Sequence, residues 1–181
     1  MALNPNKSEA ILLGTRQRAH SYSSLATVNV AGSQIPLTDH VKILGVKLDK
    51  NLSMNNHVNA VCKSVHYHIR ALRHIRSSIS KDMAKMIACV LVDYANYVLF
   101  RTTQKNISKL QKAQNLMARV VTSPPRFCSP RTLLQQLYWL PIKHRIDFKI
   151  ANITFHTLHS SQPAYLRSSL AKNSKQSGES M

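Results

Sequence analysis

The apolar and polar positions of this chain change period near residue 51. Before that point short runs dominate. Ala10 to Gly14 is a brief apolar stretch. Leu25 to Leu37 alternates about Gly32-Ser33, a pair that reads as a two-residue hairpin turn because glycine supplies the positive φ. Val41, Ile43 and Gly45 interleave with Leu44, Val46 and Leu48. Both faces of that third run are apolar, as expected of a strand covered on both sides.

From residue 52 the spacing becomes helical. Ser53 is a candidate N-cap for a helix carrying Val58, Val61, Val65, Ile69, Leu72 and Ile75 on one stripe. Ser80 caps a second helix with Met83, Met86 or Ile87, Val90, Leu91, Tyr94 and Val98 inward. A third starts near Lys105 and turns Ile107, Leu110, Ala113, Met117, Val120 and Val121 inward, and Pro124-Pro125 stops it. Ser129-Pro130 opens a short helix through Leu137, and Pro141 opens a longer one striped by Ile142, Ile146, Ile150, Ile153 and Thr157. Pro163 begins a last turn through Leu170.

The pattern predicts an α+β chain: a small antiparallel β element over 1–51, then an all-helical bundle over 52–170. Residues 171–181 are polar and are expected to be a disordered tail. A length of 181 residues suffices for one ordinary domain, and 44% apolar with 18% charged residues is a globular balance.

Charge alters the picture. The 25 Lys and Arg outnumber seven Asp and Glu, for a net +18, and seventeen of the basic residues but three of the acids lie in 52–170. Such an excess favours polyanion partners, since solubility alone is usually met with mixed charge. Neither a spanning apolar run nor a lipidation motif is present, so no membrane is expected. Cys62, Cys89 and Cys128 are odd in number and far apart, which favours free thiols in a reducing, intracellular compartment, nuclear or cytoplasmic.

On the first helix Lys63, Arg70, Arg73 and Arg76, with His66 and His74, lie outside the apolar stripe with no acid among them. Any one of them is an ordinary solvated side chain. As a set they suit a phosphate backbone, where each neutralised phosphate releases a counterion. Lys105, Lys109 and Lys112, with Arg119, give a second basic face, and Asp82 and Asp93 on the preceding helix are the acids placed to compete for it. Cys62 and His66 stand one turn apart, but His68 faces elsewhere and two ligands do not close a tetrahedral metal site. No phosphate-cradling glycine loop or converging carboxylate pair is found, so no catalysis and no cofactor are expected. Trp139 suits either base stacking or anchoring the last helices, and the apolar cluster around it favours the anchor.

Several segments in order resemble one family. Leu3-Asn4-Pro5-Asn6-Lys7-Ser8-Glu9 looks like the motif D segment of a non-LTR (LINE-type) retrotransposon reverse transcriptase, and Val41 to Asp49 is similar to its primer-grip hairpin. Asp93-Tyr94-Ala95-Asn96, Leu110-Gln111-Lys112-Ala113-Gln114-Asn115 with Ala118-Arg119, Leu137 to Ile142, Arg145 to Ile150 and Pro163-Ala164-Tyr165-Leu166 resemble its helical thumb. Ala95 stands where the family tends to have cysteine.

The resemblance implies the end of a palm followed by a thumb, beginning inside the polymerase and lacking its aspartate pair. Lys7 would match the motif D lysine, idle without the rest of the palm, and Lys42, Leu44, Gly45 and Val46 would form the primer-grip-like element. It further implies a partner that is RNA–DNA hybrid or duplex, held without sequence preference, with Mg²⁺ belonging only to the intact parent enzyme. The rival reading is a stand-alone basic nucleic-acid-binding or interaction module, or the non-functional product of a decayed retroelement.

Overall fold

A computed structural model describes residues 4, 7–15, 26–93, 96–124 and 127–170, with the side chains of 90–93 and 96–97 left aside. Its elements run β1 (Thr27–Val30), β2 (Ser33–Pro36), β3 (His40–Ile43), β4 (Val46–Asp49), α1 (Asn55–Ile75), α2 (Lys81–Asp93), α3 (Gln104–Thr122), α4 (Pro130–Gln136) and α5 (Ile142–Ser160). Single 3₁₀ turns at Arg76–Ser78 and Asn96–Leu99 join the helices, and 164–170 is helical. The architecture is α+β: two small antiparallel hairpins, β1–β2 and β3–β4, followed by helices. The tail expected to be disordered lies outside the described residues.

Both hairpins correct the sequence reading at their turns. Val30 pairs with Ser33, so the first turn is Ala31-Gly32 rather than Gly32-Ser33. Both residues have positive φ, 51° and 82°, as a type I′ turn requires, and the Asn29 side chain accepts the Gly32 N–H at 3.1 Å. Ala31 bears the less comfortable angle because that bond and the Val28–Ile35 pairing fix the register.

The third run is not one strand. It folds back at Leu44-Gly45, where φ is 47° and 81°, and Val41 faces Leu48 while Ile43 faces Val46. The turn shifts the parity of the alternation, so residues that would cover two faces of one strand gather on one face of a hairpin. Val46 and Leu48 then pack onto Met54, Val58, Leu110 and Ile142. The first hairpin contributes less, with Ile35 buried and Val28 and Val30 exposed. The Ala10–Gly14 stretch is no strand either: Ala10 makes one parallel bridge to Leu37, and the Gly14 N–H donates to the Lys50 carbonyl.

Helix α3 is the hub, packing against α1, α2, α4 and α5. Its inward row of Leu110, Ala113, Met117, Val120 and Val121 is buried as the spacing predicts. The Thr103 hydroxyl caps its first turn, and it ends at Ser123 in a left-handed conformation just before Pro124. Ser80 and Ser129 accept N–H bonds at the starts of α2 and α4, as their sequence positions predict. Ser53 stands one residue before the cap position of α1. Met54 is the cap residue, at φ 60°, while the Ser53 hydroxyl accepts the Asn55 N–H at 3.3 Å and donates to Asp49 at 2.9 Å.

The first turns of helix α2 do not bury the residues expected. Among its described side chains Ala84 and Ala88 are buried, while Met83, Met86 and Ile87 are exposed. Two alanines allow α2 to approach α1 and α3 closely, which the larger side chains would prevent. Val90, Leu91 and Tyr94 lie outside the described side chains.

A relay of amides joins α3 to the corner before α5. Gln111 accepts the Ile142 N–H at 2.9 Å and donates to Gln114 and Asn115, while Gln114 donates to the Leu140 carbonyl at 2.9 Å. The free N–H at the start of α5 and the last carbonyl before Pro141 are thereby satisfied. Trp139 is buried in the main core beside Leu133, Leu134 and Leu137, so it is an anchor, and Tyr138 beside it is exposed.

Candidate nucleic-acid interface

The candidate interface lies on α1 and α3, neither of which contains an acidic residue. On α1, Asn59, Lys63, His66, Arg70 and Arg73 recur at steps of four, three, four and three, which places them in one row. On α3, Lys105, Lys109, Lys112, Leu116 and Arg119 do the same. Each row lies well away from its own helix's buried stripe. The rows meet where Lys109 Nζ donates to Asn59 Oδ1 at 2.8 Å.

Other contacts set the relative direction of the two helices. Asn106 at the start of α3 donates to the Ser53 carbonyl just before α1, and Arg76 at the end of α1 reaches Val120 and Val121 at the end of α3. The helices therefore run the same way, and their basic rows lie along one side of the pair. Lys63, Arg70, Arg73, Lys105 and Lys112 are exposed there, and Lys109 is half-buried at the seam. None of these six is ion-paired with Asp82 among the described residues, and the Asp93 side chain lies outside them.

Arg76 belongs to the fold instead. Its Nε donates to the Val120 and Val121 carbonyls at 3.2 and 3.0 Å, Nη2 to Val121 at 2.8 Å, and Nη1 to Ile79 at 3.0 Å. The guanidinium thus ties down the carbonyls that end α3. A sequence signal for this exists: Val65, Ile69, Leu72 and Arg76 continue the apolar stripe at steps of four, three and four. Ile75, expected to close that stripe, is exposed. Arg119 is partly engaged as well, donating from Nη2 to the Cys128 carbonyl at 3.0 Å.

The residues likened to a primer grip separate. Lys42 and Leu44 are exposed, Leu44 at 87% on the hairpin tip, and Gly45 makes the turn itself. Val46 is buried in the helical core, so its side chain is unavailable to a ligand. Lys7 is exposed. No three metal-ligating side chains converge among the described residues. His66 Nδ1 donates to the Cys62 carbonyl at 2.6 Å, and burial pushes the Cys62 thiol up against the opposing pull of Lys109, which keeps it protonated.

His57, which the sequence did not single out, pins the hairpin to α1. It is buried, and its Nδ1 accepts the Lys47 N–H at 3.5 Å. Burial and then the Lys47 charge hold it below the ordinary imidazole value of 6.5. An imidazole depressed on folding adds stability that is complete above the unfolded value and is lost as pH falls through the folded one. Asp49 acts with the same sign at lower pH. Its partial burial is outweighed by hydrogen bonds from Ser53, Asn51 and Met54, which bring its carboxyl below 3.8. The urea midpoint is therefore expected to be lower at about pH 5.5 than at about pH 7.5, and His57→Leu should shrink that difference. A midpoint equal at both pH values would remove His57 from this role.

Comparison with protein-family models, curated proteins and solved structures finds no match for the chain. Among the described residues no helix is long and apolar enough to cross a membrane.

Proposed function

We propose that this chain grips an RNA–DNA hybrid or duplex by its sugar–phosphate backbone, without reading sequence, and does no chemistry itself. The single observation that carries this reading is the pair of acid-free basic rows joined at Asn59 and Lys109 on one side of α1 and α3. A line of fixed cations on rigid helices suits regularly spaced phosphates, and phosphate contacts position a duplex without identifying its bases. The order of the quoted segments supports placing the chain as the end of a palm and the thumb of a non-LTR reverse transcriptase. In such a parent the Mg²⁺ ions would be held by carboxylates upstream, and Lys7 would be idle here.

Binding measured against salt tests the proposal. With roughly five phosphate contacts, log affinity for B-form duplex should fall against log salt with a slope of about −4 to −5. Affinity should be the same for scrambled sequences. A slope near zero overturns the backbone grip, and a strong base preference favours a sequence-reading module. Nucleotide incorporation in a primer-extension assay with Mg²⁺ would overturn the non-catalytic reading.

A further inference from the structure

A cavity of about 310 Å³ opens between the turn before α3 and the first turns of α5. Its floor is core: Leu99 and Ile146 are buried in one cluster, and Ile107 packs against them. Its rim is polar, with Arg101, Gln104, Lys143 and Asp147 exposed and Phe100 48% exposed. Lys143 and Asp147 stand one turn apart on α5, yet neither they nor Arg101 form an ion pair among the described residues. The Thr102 N–H donates to the Leu99 carbonyl at 3.0 Å, closing a tight turn that holds Arg101 at φ 61°. That angle normally falls to glycine or asparagine. Strain kept at a cavity wall marks the side chain it presents, and the Arg101 guanidinium lies 5.7 Å from the centre of the Phe100 ring.

The lining selects the ligand. A half-exposed aromatic ring beside an apolar floor takes a flat ring, and a pair of cations takes a phosphate. Together they describe a nucleotide, for which this volume lies at the small end of ligand sites. The Asp147 carboxylate offers two acceptor oxygens and no donor. Among the bases, only guanine presents two adjacent N–H donors, N1–H and N2–H, on one edge. Adenine and cytosine set an acceptor nitrogen beside their amino group, and uracil sets carbonyls on both sides of its N–H, so a carboxylate meets repulsion from each.

We propose that this cavity binds an unpaired guanine nucleotide, with the base packed on Phe100 and the apolar floor, its N1–H and N2–H on Asp147, and its phosphate between Arg101 and Lys143. The nucleotide is a free one or the unpaired end of a strand, and the chemistry is shared. None of these residues belongs to the basic rows, so the site stands or falls apart from the duplex grip, which stays neutral to paired sequence.

Calorimetric titration of the full chain with guanosine and adenosine 5′-monophosphates is the first arm of the test. The second arm uses a duplex carrying one unpaired 3′ guanosine or adenosine, against the blunt duplex. Guanine should be preferred over adenine by about tenfold or more, and Asp147→Asn should abolish the preference. Arg101→Gln should lower affinity for the guanosine monophosphate about tenfold while leaving guanosine itself unaffected. Both side chains are exposed, and far-UV circular dichroism checks that each variant folds. The blunt-duplex salt slope should stay unchanged in Asp147→Asn. Binding of the free monophosphate with no gain from the unpaired guanosine assigns the site to a free nucleotide, and the reverse assigns it to a strand end. Equal binding of guanine and adenine in both arms would overturn the proposal, as would a preference that survives Asp147→Asn. Inorganic phosphate competing as well as the nucleotide would reduce the cavity to a plain anion site and overturn it too, and so would no binding in either arm.

Discussion

Replacing Arg76 by methionine should lower stability by about 2–3 kcal/mol, the scale of hydrogen bonds made by a charged donor. The guanidinium spans three carbonyls, those of Ile79, Val120 and Val121, and so binds the end of α1 to the end of α3. Methionine keeps the apolar stem but leaves the terminal carbonyls of α3 without their donor. Arg73→Met is the matched control: Arg73 is exposed, and its loss should move the urea midpoint by less than about 0.5 kcal/mol in equivalent stability. The two variants should trade places in a binding assay. Arg73→Met should make the duplex salt slope shallower, and Arg76→Met should leave it as it is. Equal stability of the two variants would show that the cap at α3 is energetically idle.

Neutralising the basic rows should have the larger effect on affinity. With Lys63, Arg70, Lys105, Lys109 and Lys112 changed to Gln, roughly four units of salt slope should disappear, at about 0.9 per phosphate contact. A slope of four means that affinity changes by about two to three orders of magnitude between 50 and 200 mM salt, and the variant should show little of that dependence. Glutamine keeps much of each stem, and the rows lie away from the buried stripes, so cooperative unfolding should persist. Lys109 is the one position with a structural bond, to Asn59, and a four-site variant that retains it separates the seam from the charge. Unchanged affinity in the five-site variant would mean that the duplex is held elsewhere.

Much of the fold follows from neighbours in sequence. The inward row of α3, the caps at Ser80 and Ser129 and the stop before Pro124 depend on residues within one or two turns, so periodicity and local side-chain bonds suffice. The errors fall where a distant partner decides. Met83, Met86 and Ile87 are as apolar as a buried stripe should be, yet the close approach of α2 selects Ala84 and Ala88. Val41 to Asp49 fits one two-faced strand until the helices supply a single surface for it to cover, and the hairpin forms at Leu44-Gly45.

The same division runs through the candidate site. From the sequence alone come the +18 charge, its concentration in the helical part, and the absence of acids from α1 and α3. Composition and three- and four-residue spacing are properties of single segments, so no packing is needed to see them. Only the tertiary structure decided that α1 and α3 run the same way with their basic rows on one side, that Arg76 is spent on carbonyls, and that Val46 is core. The reason is physical. A helix's own pattern states which of its faces are apolar or charged, but which face meets which neighbour is set by close packing among residues some fifty positions apart, as Asn59 and Lys109 are.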